Sequence, residues 1–179
     1  SVRLPGTILR WCERGQRWRW DGVEFAILHP VAGRAWRGDN NTSCVLEITG
    51  AGGRALLLGD IERDAERSLV EAGLLGPASV VVAAHHGSRT SSTAALVDAV
   101  RARYVVFAAG YRNRWGFPRP DVVARWRDSG AETLDTASSG AIGLLVGSSG
   151  VEPPVAWRRQ YVRYWHHKDH SDPRPAMGD

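Results

Sequence analysis

A chain of 179 residues with 43% apolar and 23% charged side chains can bury its own core, which excludes disordered, collagen-like and disulfide-scaffold classes for most of its length. No apolar run approaches the roughly 18 residues of a membrane span. The net charge of +4 is unevenly spread: residues 101–127 hold seven Arg and one Asp, whereas residues 59–73 hold five acids and two Arg. That polarity suits an anionic polymer beside an acidic, cation-binding spot. Every basic side chain except Lys168 is Arg, the side chain that grips phosphate with two parallel N–H groups.

Residues 1–17 read as irregular. Arg17 to Leu28 alternates around Asp21-Gly22, a hairpin signal. Residues 31–41 form a loop rich in Gly, Asp and Asn. Val45–Thr49 and Arg54–Leu58 read as strands joined by a Gly-rich turn. The period then changes: Ile61, Ala65, Leu69 and Ala72 recur at helical spacing, and Gly73 suits a helix stop. Ser79–Ala84 reads as a buried strand, followed by a polar loop over residues 85–92. A helix is expected from Thr93 to Arg101, a strand over Tyr104–Ala109, a loop over residues 110–120 and a helix from Asp121 to Asp128. Ala131–Leu134 and Ala141–Val146 read as closing strands. The pattern predicts an α/β layered domain over residues 1–147 and a loose basic tail over 148–179. Cys12 and Cys44 lack CxxC spacing, so they are expected to be reduced or buried, without a zinc knuckle. The first residue is Ser1 and the sole Met is Met177, so the chain reads as an excerpt of a longer protein.

Three polar clusters each follow an apolar strand: Asp60; His85 with His86; and Tyr111-Arg112-Asn113-Arg114. Ligand sites of α/β sheets collect at such strand ends. Asp60 has two readings, an N-cap of the helix that follows or a metal ligand. His85 and His86 are either hydrogen-bonded turn residues or metal ligands, since neutral imidazole beside a carboxylate holds zinc and similar ions. His29, before Pro30, reads as structural. Ser91 or Ser92 is expected to cap the next helix, and the lack of a Gly-x-Ser-x-Gly elbow argues against a serine hydrolase. No phosphate-cradling GxxxxGK[ST] loop is present, so nucleotide hydrolysis has no support. Trp18 and Trp20 share a strand face, with core packing as the default. The Arg–aromatic runs 18–20, 111–115 and 125–127 have the composition for phosphate contact and base stacking, the 111–115 loop above all.

The segments Leu-Gly-Asp-Ile-Glu (58–62), His-His-Gly-Ser-Arg-Thr-Ser-Ser (85–92), Gly-Tyr-Arg-Asn-Arg-Trp-Gly-Phe-Pro-Arg-Pro (110–120), Trp-Arg-Trp-Asp-Gly-Val-Glu-Phe (18–25) and the Asn-rich stretch 39–46 resemble the C-terminal part of the ComEC family of DNA-internalisation competence proteins. The match covers about residues 15–146. The resemblance implies a metallo-β-lactamase-like αββα sandwich, here its C-terminal portion and expected to be incomplete. It implies a soluble periplasmic domain of an inner-membrane DNA-uptake channel that hydrolyses the non-transported strand, with two divalent ions (Mn or Zn) in the intact domain. Asp60 and His85 take the catalytic and metal positions, His85 being favoured over His86 because it leaves the strand first. Arg89, Arg112, Asn113, Arg114 and Trp115 are the expected DNA contacts. Partners would be single- or double-stranded DNA and the parent's own transmembrane channel, without a small-molecule cofactor. The family's first ligand cluster, an HxHxDH-like motif, is expected upstream of this chain, and Gly116-Phe117-Pro118 stands where the family often has Gly-His-Pro. The alternatives are a non-catalytic DNA-guiding module or another hydrolase of the superfamily.

Overall fold

A computed structural model describes residues 10–163. Strand β1 (Arg17–Trp20) turns back into β2 (Val23–His29) through Asp21-Gly22. Both turn residues have positive φ, 48° and 79°, the conformation whose twist matches a two-residue hairpin. Strands β3 (Val45–Gly50) and β4 (Gly53–Leu57) extend the meander. Helix α1 (Arg63–Glu71) leads to β5 (Val80–Val82), α2 (Ala94–Val100) to β6 (Tyr104–Phe107), and α3 (Pro120–Asp128) to β7 (Glu132–Asp135). The seven strands form one sheet in sequence order, antiparallel through β4 and parallel from β4 to β7.

Three successive crossovers stepping the same way lay their helices on one face of the sheet, because strand twist makes each crossover right-handed. α1 packs on α2 and α2 on α3. Beneath them lies the main core, in which Leu56, Val81, Val105 and Phe107 come from the sheet, Leu69, Leu96 and Trp126 from the helices and Ile61 from the loop before α1. The buried Trp126 therefore takes the 125–127 run out of consideration for base stacking.

The opposite face is covered only in part. A short helix α4 (Thr136–Ser139) is followed by β8 (Ile142–Gly143), β9 (Val146–Gly147), β10 (Gly150–Val151), β11 (Val155–Ala156) and α5 (Trp157–Gln160). β10 pairs with β9 and β11 with β8, and Val151 packs with Val80 and Tyr104. The segment expected to be a loose tail thus carries paired strands as far as residue 156, because Val146 and Val151 find apolar partners on the sheet. Residues 164–179, including His166, His167 and His170, lie outside the described residues. Beyond this cover, register places Trp18, Phe25, Ile27, Leu46, Ile48, Leu57 and Val82 on the same face. Trp18 stacks on Phe25 at 5.1 Å yet stays 46% exposed, and Trp20 is 75% exposed, so these two do not pack into the core as expected.

Two buried polar arrangements fix the helical layer. The Asn41 Oδ1 accepts from Glu62 N (2.9 Å) and Ala65 N (3.3 Å), capping α1 from a distant loop. The fully buried Glu66 accepts from Ser92 N and Thr93 N (2.8 Å), placing a carboxylate at the N-terminus of α2, where the helix dipole favours it. Thr93, not Ser91 or Ser92, is the N-cap of α2. Ser91 instead donates its hydroxyl to the carbonyls of Ala84 and Ser88.

Cys12 and Cys44 form a disulfide with Cα atoms 6.0 Å apart, which corrects the expectation of reduced thiols. Sequence spacing gave no hint of it. The fold supplies the proximity by running residues 14 and 15 antiparallel to the end of β2, with Arg14 N donating to Pro30 O (2.7 Å) and Gly15 N to Ile27 O (3.0 Å). Closing a loop of this separation, 32 residues, stabilises by about 3–4 kcal/mol in the chain-entropy account. Reduction should lower the melting temperature by roughly 10 °C, read by calorimetry with and without reductant.

His29 is fully buried, its Nε2 2.8 Å from the Asn41 carbonyl oxygen and its ring edge-on to Trp36. Its structural reading holds. Burial holds the imidazole below its ordinary pKa; the Asn41 bond opposes it in part, and the nearby charges of Arg14 and Arg34 add to the lowering. The unfolded chain therefore binds more protons below about pH 6.5, and stability is lost as pH falls through that value. Burial moves Glu66 the other way, upward, so that carboxylate favours folding as pH falls. Urea titrations over a pH series should show a flatter acid limb for His29→Gln than for the parent chain, which isolates the histidine.

Candidate functional site

β4, β5 and β6 are parallel neighbours, so the loops leaving their C-terminal ends share one rim. Gly59-Asp60 follows β4, His85-His86-Gly87 follows β5, and residues 108–119 follow β6. Backbone bonds join the loops: His85 N donates to Gly59 O (2.9 Å), and Arg119 N donates to Gly87 O (3.0 Å).

The β5 exit is a left-handed turn. His85, His86 and Gly87 have φ values of 46°, 55° and 85° in succession. Each non-glycine residue held there costs about 1–2 kcal/mol. Such strain persists only where the surroundings impose it, and it concentrates at working sites. Adjacent residues of an extended strand would point to opposite sides. The left-handed turn instead brings both imidazoles beside one ring, Phe117, with centroids 5.7 Å and 6.4 Å away.

Asp60 makes no cap, since Asn41 holds that place at α1. Its carboxylate lies 3.6 Å from the Nε2 of His86, with both side chains about half exposed. The side chain beside His85 is Glu62, Oε1 to Nδ1 3.3 Å. The rim therefore holds two carboxylate–imidazole pairs, Asp60 with His86 and Glu62 with His85, rather than the single Asp60–His85 pair expected. The donor types suit a divalent ion, but among the described residues no three His, Cys, Asp or Glu side chains gather around one point. A tight site needs three or four ligands, so these residues alone do not complete one.

Sequence reasoning passed over Glu62, although it stands two residues after Asp60, one turn-step along the same loop. Thr90, read from the sequence only as one hydroxyl of the polar loop over residues 85–92, has its Oγ1 2.8 Å from Glu62 Oε1 and 3.3 Å from His85 Nδ1. Phe117 was noted as the absence of an imidazole; it is the aromatic hub of the site.

Outward from Phe117 runs an arm of aromatic rings and guanidinium groups. Trp115 stacks on Phe117 at 6.4 Å with an interplanar angle of 14°, and is 55% exposed. Arg114 lies over Trp115 at 4.4 Å, Arg112 over Tyr111 at 5.3 Å and Arg119 over Phe117 at 5.8 Å. Asn113 is committed to the loop itself: its amide donates to the carbonyls of Gly110 (3.0 Å) and Phe117 (2.7 Å) and its Oδ1 accepts from Phe117 N (2.9 Å). It shapes the arm and has little capacity left for a ligand. Arg89 is paired with Asp121 at 3.1 Å on the surface, where the bond draws the Asp121 carboxyl below its ordinary pKa.

The fold and rim together define an α/β domain with paired carboxylates and imidazoles at its strand ends and a basic aromatic arm beside them. The chain is similar over 156 residues, 86% of its length, to competence protein ComA of Neisseria gonorrhoeae, with 39% identity. It is 35% identical over 133 residues to recombination protein 2 of Haemophilus influenzae and 26% identical over 158 residues to ComE operon protein 3 of Bacillus subtilis. It spans 22%, 16% and 20% of those proteins, respectively. No protein-family profile matches the chain.

Gly87 is where the rim is tightest. A Cβ there would lie 2.7 Å from Pro118 Cβ and 2.8 Å from Phe107 Cδ1. Gly87→Ala combines left-handed strain with overpacking, so a loss of about 2–4 kcal/mol is expected. Denaturant titration followed by Trp fluorescence would measure it.

Proposed function

We propose that this chain is a DNA-handling domain of a protein of natural transformation, and that the arm over residues 111–119 holds a single strand beside the rim. The observation that carries this reading is the arm itself. Exposed rings, each beneath or beside a guanidinium, offer stacking to any base and two-pronged contact to phosphate. The net +6 of residues 101–127 supplies the attraction. The competence and recombination names of its relatives agree with it.

Asp60 and His86, with His85, are the donors this chain contributes to a divalent-ion site for phosphodiester hydrolysis, the remaining ligands coming from the rest of a longer protein. The apolar sheet face bearing Phe25, Leu46, Ile48 and Leu57 is the surface on which the second sheet of an αββα sandwich would lie. The disulfide favours an oxidising compartment, which suits a periplasmic domain. Among the described residues no helix is long and apolar enough to cross a membrane.

A salt titration of single-stranded oligonucleotide binding tests the reading. Affinity should fall steeply with salt and vary little with sequence. Arg112→Ala with Arg114→Ala should weaken binding uniformly and flatten the log–log salt slope by about 0.7 per lost phosphate contact. Trp115→Ala should cost about 1–3 kcal/mol with little change in slope. Salt-independent binding, or none, would remove the nucleic-acid reading.

A further inference from the structure

The proton inventory around His85 determines which of its nitrogens carries hydrogen. Nδ1 faces two groups, Glu62 Oε1 and Thr90 Oγ1, each at 3.3 Å. An ionised carboxylate only accepts hydrogen bonds, and a threonine hydroxyl has one proton to give. That proton goes to Glu62, since Thr90 Oγ1 donates to Oε1 at 2.8 Å. Ser88 Oγ, 3.0 Å from Thr90 Oγ1, is then the donor in their contact. Thr90 thus presents a lone pair to Nδ1, and the Glu62 carboxylate stands at ion-pair distance from the same nitrogen. With two acceptors facing it, Nδ1 bears the hydrogen. Nε2 keeps its lone pair, and no hydrogen bond among the described residues engages it.

We infer that Glu62 is a positioning residue that fixes the Nδ1–H tautomer of His85, with Thr90 relaying and reinforcing that choice, so that Nε2 is the basic nitrogen turned over to a ligand. Glu62 is itself held by three contacts: Asn41 Oδ1 accepts its backbone N–H at 2.9 Å, Asn40 Nδ2 donates to its Oε1 at 3.3 Å, and Thr90 donates to the same oxygen. A carboxylate that orients an imidazole in this way raises the basicity of the far nitrogen. The use of that nitrogen as a metal donor rests on the function proposed above. The tautomer itself does not, because it is a property of the chain without metal.

The experiment is nitrogen-15 NMR of the metal-free chain with labelled histidine, about two pH units above the ordinary imidazole value of ~6.5 so that the ring is neutral. His85 is assigned by the resonances missing from His85→Asn. The expected spectrum has a pyrrole-type Nδ1 and a pyridine-type Nε2, the reverse of the preference of free histidine in water. Glu62→Ala should move most of the population to the Nε2–H form. Thr90→Val should leave the Nδ1–H form in place, because Glu62 still faces the ring. An Nε2–H ring in the parent chain overturns the inference outright. An unchanged ring in Glu62→Ala, or a reversed one in Thr90→Val, overturns the part given to Glu62. If Glu62→Ala does not fold, the parent spectrum and Thr90→Val still decide. Titrating the parent chain with Mn²⁺ or Zn²⁺ separately reports on the metal reading, which can fail while the tautomer stands.

Discussion

The hydrogen bond from the His85 N–H to the Gly59 carbonyl is the clasp on which the rim depends. The β4–β5 ladder runs as far as the Leu57 and Val82 pair, and Leu58 N still reaches Val82 O at 3.3 Å. Beyond that point the two chains would separate into loops. The His85 bond holds them together for one further step, and it forms only if Gly59 turns with a φ of 58°. Glycine is also required there for space, because a Cβ would stand 2.9 Å from the carbonyl oxygen of Cys44. Cys44 is fixed in turn by its disulfide to Cys12. A covalent link in the first quarter of the chain, a backbone turn after the fourth strand and a strained pair of histidines after the fifth therefore form one mechanical unit.

Charge is arranged around that unit with opposite signs on its two sides. Asp60, Glu62, Asp64 and Glu66 all fall within the segment leaving β4, yet each has a different partner. Glu66 is buried and caps a helix, Asp64 pairs with Arg67 on the surface, and only Asp60 and Glu62 face the histidines. Arg112 and Arg114 of the third loop are exposed and stand over aromatic rings. The acidic side is thus narrowed by structure to two carboxylates, while the basic side stays broad.

The strand ends were legible because apolar runs stop abruptly at polar clusters, and β4, β5 and β6 turned out to be neighbours. Asp21-Gly22 announced its hairpin for the same local reason. What sequence could not show was cross-chain chemistry. Asn41 caps a helix that begins more than twenty residues later, and Glu66 caps one nearly thirty residues later, so neither follows a local capping pattern. The partner of His85 is Glu62 rather than Asp60 because the turn after β5 is left-handed, and no periodicity argument anticipates positive φ at two histidines. The disulfide escaped for a similar reason: its proximity is made by the β2 hairpin, not by spacing along the chain.

The left-handed turn also limits how this protein can change. At positions 85 and 86 the backbone tolerates few side chains cheaply: glycine, and the short polar or ring residues Asn, Asp and His, are those that enter this region most readily. Branched and aliphatic side chains are penalised by the main chain before any chemistry is considered. Of the side chains that the turn accepts with least strain, the resident His and the replacements Asn and Asp are all able to donate an electron pair. A polar, ligating surface at the exit of β5 is in this sense built into the trace of the backbone, and drift toward an inert apolar rim would require the turn itself to be rebuilt.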